Sequence, residues 1–93
     1  MSLLDRQYDY DVISLDLGTA RSDVAQGLTK KINTLTVITL DGGSLSVKLN
    51  SSSNESITLS DGFKIEGIPL TELYWTNTAQ AGKTAEIFTA WID

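Results

Sequence analysis

Short runs in which every second residue is apolar recur along the chain. Within Tyr10 to Leu17, Ile13, Leu15 and Leu17 alternate with Ser14 and Asp16, so the three apolar side chains share one face of a strand. From Lys30 to Leu40 the sequence is rich in β-branched residues and longer than an average strand. Asp41-Gly42-Gly43 follows, with residues that tolerate positive φ, and then Leu45, Val47 and Leu49 alternate with Ser46 and Lys48. This pattern predicts a hairpin.

Asn50 to Ser56 is polar throughout and predicts a loop at a hairpin tip. Ile57 to Leu59 reads as a short strand, Ser60-Asp61-Gly62 as a turn, and Phe63 and Ile65 alternate with Lys64 and Glu66 before Gly67. Pro69 lacks an amide hydrogen and marks a strand start or an edge. Leu70 to Asn77 and Lys83 to Ile92 form a last pair of strands around Thr78 to Gly82. Thr19 to Gly27 alone lacks strand character and reads as a helical turn or an irregular loop.

About seven short strands with turn signals every 8–12 residues predict an all-β chain, an antiparallel β-sandwich or small barrel, jelly-roll-like. Residues 1–93 form a single domain, with 1–9 as an extended arm. A chain of this size buries only about 60–65% of its unfolded surface, so the core is thin. Thr (11) and Ser (10) support the all-β reading, and 41% hydrophobic residues make the composition globular.

The charge and residue inventory narrows the chemistry. A net charge of −5 and scattered bases, with Lys30–Lys31 the one adjacent pair, argue against a nucleic-acid partner. The longest uncharged stretch, Leu73 to Gly82, is too short and polar to span a bilayer, and charged residues follow the N-terminal Met-Ser-Leu-Leu at once, so neither a membrane span nor a signal peptide is expected. The chain has no Cys and no His, which removes disulfides, thiolate and Ser–His–Asp catalysis, and nitrogen- or sulfur-ligated zinc.

The remaining candidates for chemistry are weak. Gly82-Lys83-Thr84 echoes a phosphate loop, but Asn77 occupies the place of its first Gly and the following residues read as strand, so a turn with a solvated Lys is the better reading. Asp5, Asp9, Asp11 and Asp16 crowd the N-terminal segment, and Asp9 and Asp11 share a face, yet no calcium-loop spacing accompanies them. Glu66, Glu72 and Glu86 sit in no motif that would pair them for glycoside cleavage. Asn50 and Asn54 begin sequons within the Ser-rich loop, with no signal peptide to make them meaningful. No catalytic residue, metal site or cofactor is expected.

The aromatic residues say more. Tyr74, Trp75, Phe88 and Trp91 all fall in the final pair of strands, and alternation places large apolar groups on both faces of that pair. One face suffices for a two-layer core, so unless all four rings are core the second face meets the Tyr8-to-Leu17 segment, a sugar ring or another subunit; an interface is expected, with these four residues as its candidates and the arm from Leu3 to Tyr10 reaching a neighbour.

At this point a resemblance enters. Leu73 to Phe88, a strand ending in Thr-Asn, an Ala-Gln-Ala-Gly-Lys turn and an alternating apolar strand, resembles the C-terminal hairpin of small β-rich bacteriophage virion proteins, and Phe63 to Leu70 fits as the strand and bend that feed it. The resemblance implies a non-catalytic phage or prophage structural subunit, located in the virion, that acts by homo-oligomeric assembly and contact with other virion proteins. The alternative is a carbohydrate-binding module whose exposed aromatics stack on host glycans.

Overall fold

The computed structural model describes residues 8–92, apart from the side chains of residues 8, 29 and 92, and most of the expected N-terminal arm, with Asp5, lies outside the described residues. Six strands form in chain order: β1 (Tyr8–Asp16), β2 (Arg21–Thr39), β3 (Ser46–Leu49), β4 (Ile57–Thr58), β5 (Lys64–Asn77) and β6 (Thr84–Ile92). The seven strand segments of the sequence pattern are all present, because β5 joins two of them across Gly67 and Pro69. The fold is all-β and antiparallel, in a single sheet ordered β1-β6-β2-β5-β3-β4.

That order corrects two expectations. β2 does not pair with β3, because β5 lies between them, and β5 does not pair with β6, because β2 lies between them. Both places are turns, as expected: Asp41 and Gly42 have positive φ and the Gly43 amide donates to the Leu40 carbonyl at 2.8 Å, while Gly82 has positive φ and the Lys83 amide donates to the Gln80 carbonyl at 3.2 Å. Such residues specify a reversal of the chain, not which strand the returning segment joins. Here each reversal is an arch that carries the chain across the core instead of back along the same ladder. β3 and β4, flanking the Ser-rich loop, do pair, with Val47 opposite Ile57.

A third expectation fails at residues 19–27, most of which belong to β2. Ala25, Gln26 and Gly27 have weak strand propensity, but they pair with Tyr74, Leu73 and Glu72 of β5. Pairing and burial outweigh a propensity scale that spans only about 1 kcal/mol.

The sheet must curl, because one face carries the core and no helix among the described residues covers it. β2 and β5 are long enough to serve two half-sheets. The trailing part of β2, around 34–39, pairs with β6 and with the start of β5, whereas its leading part, around 21–27, pairs with the end of β5. Register shifts between Gly27 and Thr34 on β2, and Gly67 at φ +77 on β5, mark the bend between the halves. Inward residues of both halves, among them Leu15, Leu35 and Ile87 from one and Val47, Leu73 and Trp75 from the other, join in one buried cluster. The bulge also changes which alternate residues of β2 face inward: Ile32 before it, Leu35 and Val37 after it.

One end of the barrel is closed by three turns tied together through side chains. Asn77, 7% exposed, donates from Nδ2 to the carbonyls of Leu17, Thr19 and Thr78, and accepts from Arg21 Nη1 at 3.0 Å. Gln80 holds the β2–β3 arch through both its amide atoms, accepting from the Ser44 amide and donating to the Ser44 carbonyl.

Candidate functional site

A cavity of about 380 Å³, open to the surface, lies between β1, β6 and β2. It exists because β6 pairs with β1 along its whole length but with β2 only up to Thr34, so residues 26–32 of β2 diverge from β6. The volume lies within the range of roughly 300–1,000 Å³ typical of small-molecule sites.

Ile13, Leu28, Ile32 and the ring of Trp91 supply the apolar wall, and all four belong to or pack against the core cluster. Gln26 is the most informative polar group. Its Oε1 accepts a hydrogen bond from Trp75 Nε1 at 2.7 Å. Thr89, buried on β6, spends its hydroxyl hydrogen on the Asp11 carbonyl at 3.2 Å, which ties β6 to β1 across the cavity floor. Asp11 and Lys30 are the charged residues of the lining, one of each sign. Trp91 Nε1 is buried with no hydrogen-bond partner among the described residues.

The four aromatic candidates do not form one surface. Trp75 is 1% exposed and belongs to the core of a single chain. Trp91 packs against that core and lines the cavity. Tyr74 and Phe88 stand on the outer faces of different half-sheets, since β5 and β6 are not neighbours. Tyr74 donates its phenol to Glu72, and that bond, more than burial, raises the phenol above its ordinary pKa of 10.0. Phe88 stacks on Tyr10, itself 65% exposed, with ring centroids 5.5 Å apart. The doubly apolar hairpin that motivated an interface is therefore replaced by two separate strands, each with an inner and an outer face.

The other candidates fall outside the cavity or make simple local contacts. Gly82-Lys83-Thr84 forms a turn leading into β6, so no helix N-terminus faces it. Among the described residues no group of three or more acids is placed to hold a metal ion. Glu66 pairs with Lys64 at 3.2 Å, and neither Glu72 nor Glu86 lines the cavity. Asp23, whose pKa lies below 3.8 chiefly through its hydrogen bond from Lys48, lies at the surface.

Sequence reasoning missed Gln26, Leu28 and Thr89. A usable signal existed: Gln26, Leu28, Lys30 and Ile32 sit at alternate positions, the pattern of one strand face with polar groups set among apolar ones.

No family model matches the chain, and no curated relative does either. Solved structures do. A cupin protein from Bacteroides fragilis superposes with a TM-score of 0.57 at 10% identity, over 89% of this chain and 63% of that one. A cupin-2 domain containing protein from Shewanella frigidimarina superposes with a TM-score of 0.53 at 15% identity, over 90% of this chain and 69% of that one. The chain thus spans about two thirds of the length of these structures. The comparison corrects the resemblance to bacteriophage virion proteins: the shared architecture is that of cupins, and the hairpin on which the virion and glycan-binding readings rested is absent. What this chain holds in common with cupin proteins is the fold, a jelly-roll-like β-barrel.

Proposed function

We propose that the chain is a non-catalytic binding domain that takes a small organic molecule into the cavity between β1, β2 and β6. The observation that carries this reading is the composition of that cavity: an apolar wall of Ile13, Leu28, Ile32 and Trp91 interrupted by a few fixed polar groups. Such a lining buries an apolar ligand body and orients it through a few hydrogen bonds. The reading of binding without turnover is supported by the hydroxyls of the lining, on Ser14 and Thr89: no His or Cys stands beside them, and the Thr89 hydroxyl is bonded to a backbone carbonyl.

Leu28 supplies the test. It shares a strand face with Gln26 and Ile32 and lines the cavity, so Leu28→Trp places a larger ring in that space. The wild type is expected to give saturable shifts of Ile13, Leu28 and Ile32 amides in NMR titrations with small bicyclic organic compounds, and the Trp variant to lose those at Ile13 and Ile32 while still unfolding cooperatively. Equal binding by both proteins would refute the assignment of the cavity.

A further inference from the structure

We infer that the cavity selects an uncharged molecule carrying a carbonyl-type oxygen, and that Trp75 sets this preference through Gln26; the inference rests on the binding role proposed above. An indole N–H can only donate. The Gln26 amide atom 2.7 Å from Trp75 Nε1 is therefore its oxygen, and the amide is held in one of its two orientations. Its NH2 group is then committed to the other side, along the cavity lining to which Gln26 belongs. Trp75 is 1% exposed in the core, so its indole holds the Gln26 amide in this orientation before any ligand arrives.

The remaining groups agree in sign. The Thr89 hydroxyl hydrogen is already spent on the Asp11 carbonyl, so it does not compete for the ligand acceptor. Trp91 adds a second donor whose hydrogen bond is unmade among the described residues. Asp11 and Lys30 carry opposite charges, so the lining offers no net charge to hold an ionic ligand of either sign. An acceptor without net charge, on an apolar body that fits Ile13, Leu28 and Ile32, satisfies all of these terms.

Three probes of similar shape separate the possibilities: 2-tetralone, which carries an acceptor, tetralin, which carries none, and 2-aminotetralin, a cationic donor. One neutral hydrogen bond corresponds to roughly tenfold in affinity. The wild type is expected to bind 2-tetralone about tenfold more tightly than tetralin, with shifts of the Gln26 side-chain NH2 resonances for the ketone alone. Gln26→Leu should abolish the preference, and Gln26→Glu, which keeps an acceptor for Trp75 but loses the donor, should turn it toward 2-aminotetralin. The Trp75 indole resonance, retained in the Glu variant, reports that the wall is intact. Equal binding of 2-tetralone and tetralin, with shifts at Ile13 and Leu28, would overturn this inference while leaving the binding role standing. No saturable binding of any probe would overturn both.

Discussion

Asn77 is the side chain on which the closed end of the barrel depends, and Asn77→Ala tests that dependence. The amide donates to three carbonyls, those of Leu17 at 3.3 Å, Thr19 at 3.0 Å and Thr78 at 2.7 Å, and accepts from Arg21 at 3.0 Å. Each carbonyl keeps a second donor after the truncation: Gln80 N for Leu17, Arg21 Nη1 for Thr19 and Gln80 Nε2 for Thr78. No acceptor is orphaned, so the loss is that of the bonds themselves. The two amide hydrogens shared among three carbonyls count as two neutral bonds of about 0.5–1.5 kcal/mol each, and with the guanidinium contact at about 1.5–3 kcal/mol the cost is about 2.5–6 kcal/mol. A domain of this length has roughly 5–14 kcal/mol in total, and about 4–8 °C is lost per kcal/mol, so Tm should fall by at least about 10 °C. Urea and thermal unfolding followed by far-UV circular dichroism measure both quantities. Asn77→Asp sharpens the test: it keeps the acceptor for Arg21 but turns an oxygen toward the carbonyls, so it should be at least as damaging despite its unchanged shape. An Ala variant within about 0.5 kcal/mol of wild type, or an Asp variant as stable as wild type, would refute the reasoning.

Other expectations follow from packing and charge. Leu35 is fully buried and Ile38 is 51% exposed on the opposite face of the same strand, so Leu35→Ala should cost about 2–5 kcal/mol in urea unfolding and Ile38→Ala under about 0.5 kcal/mol. Gly43→Ala would place its Cβ 2.6 Å from Gln80 Oε1, which the Ser44 amide holds, and 2.9 Å from Leu17 Cδ1; a loss of about 1–3 kcal/mol is expected in the same assay. Asp23 should titrate below 3.8 in carboxyl NMR and return toward that value in Lys48→Met. Because its folded pKa is depressed, the stability it contributes is present above 3.8 and lost as pH falls through the folded value.

Local periodicity was enough to find the strands apart from the leading part of β2, since Ile13/Leu15/Leu17 and Leu45/Val47 do alternate into the core or against it. Strand adjacency was not legible in the same way. Asp41-Gly42-Gly43 and the turn at Gly82 carry the same residues whether the chain returns along its own ladder or crosses to the facing half-sheet, and that choice is made by long-range pairing of β2 with both β5 and β6. The site was hidden for a related reason. Gln26 sits in a stretch of weak strand propensity, and its role arises from Trp75, 49 residues away, which no local window contains. Aromatic content flagged Trp75 and Trp91 correctly as large apolar groups, but alternation over one presumed hairpin could not tell a core ring from a cavity wall. The absence of His and Cys, by contrast, excluded several chemistries from composition alone, and that exclusion shapes the functional reading.

The measurement that bears most directly on the central claim is a crystal structure of the chain soaked with 2-tetralone. The cavity reading expects the ketone between Ile13, Leu28 and Ile32, its oxygen within hydrogen-bond distance of Gln26 Nε2 and the Trp75–Gln26 bond unchanged. Density for the ketone only on the outer sheet, beside Tyr10 and Phe88, with water alone in the cavity, would contradict it.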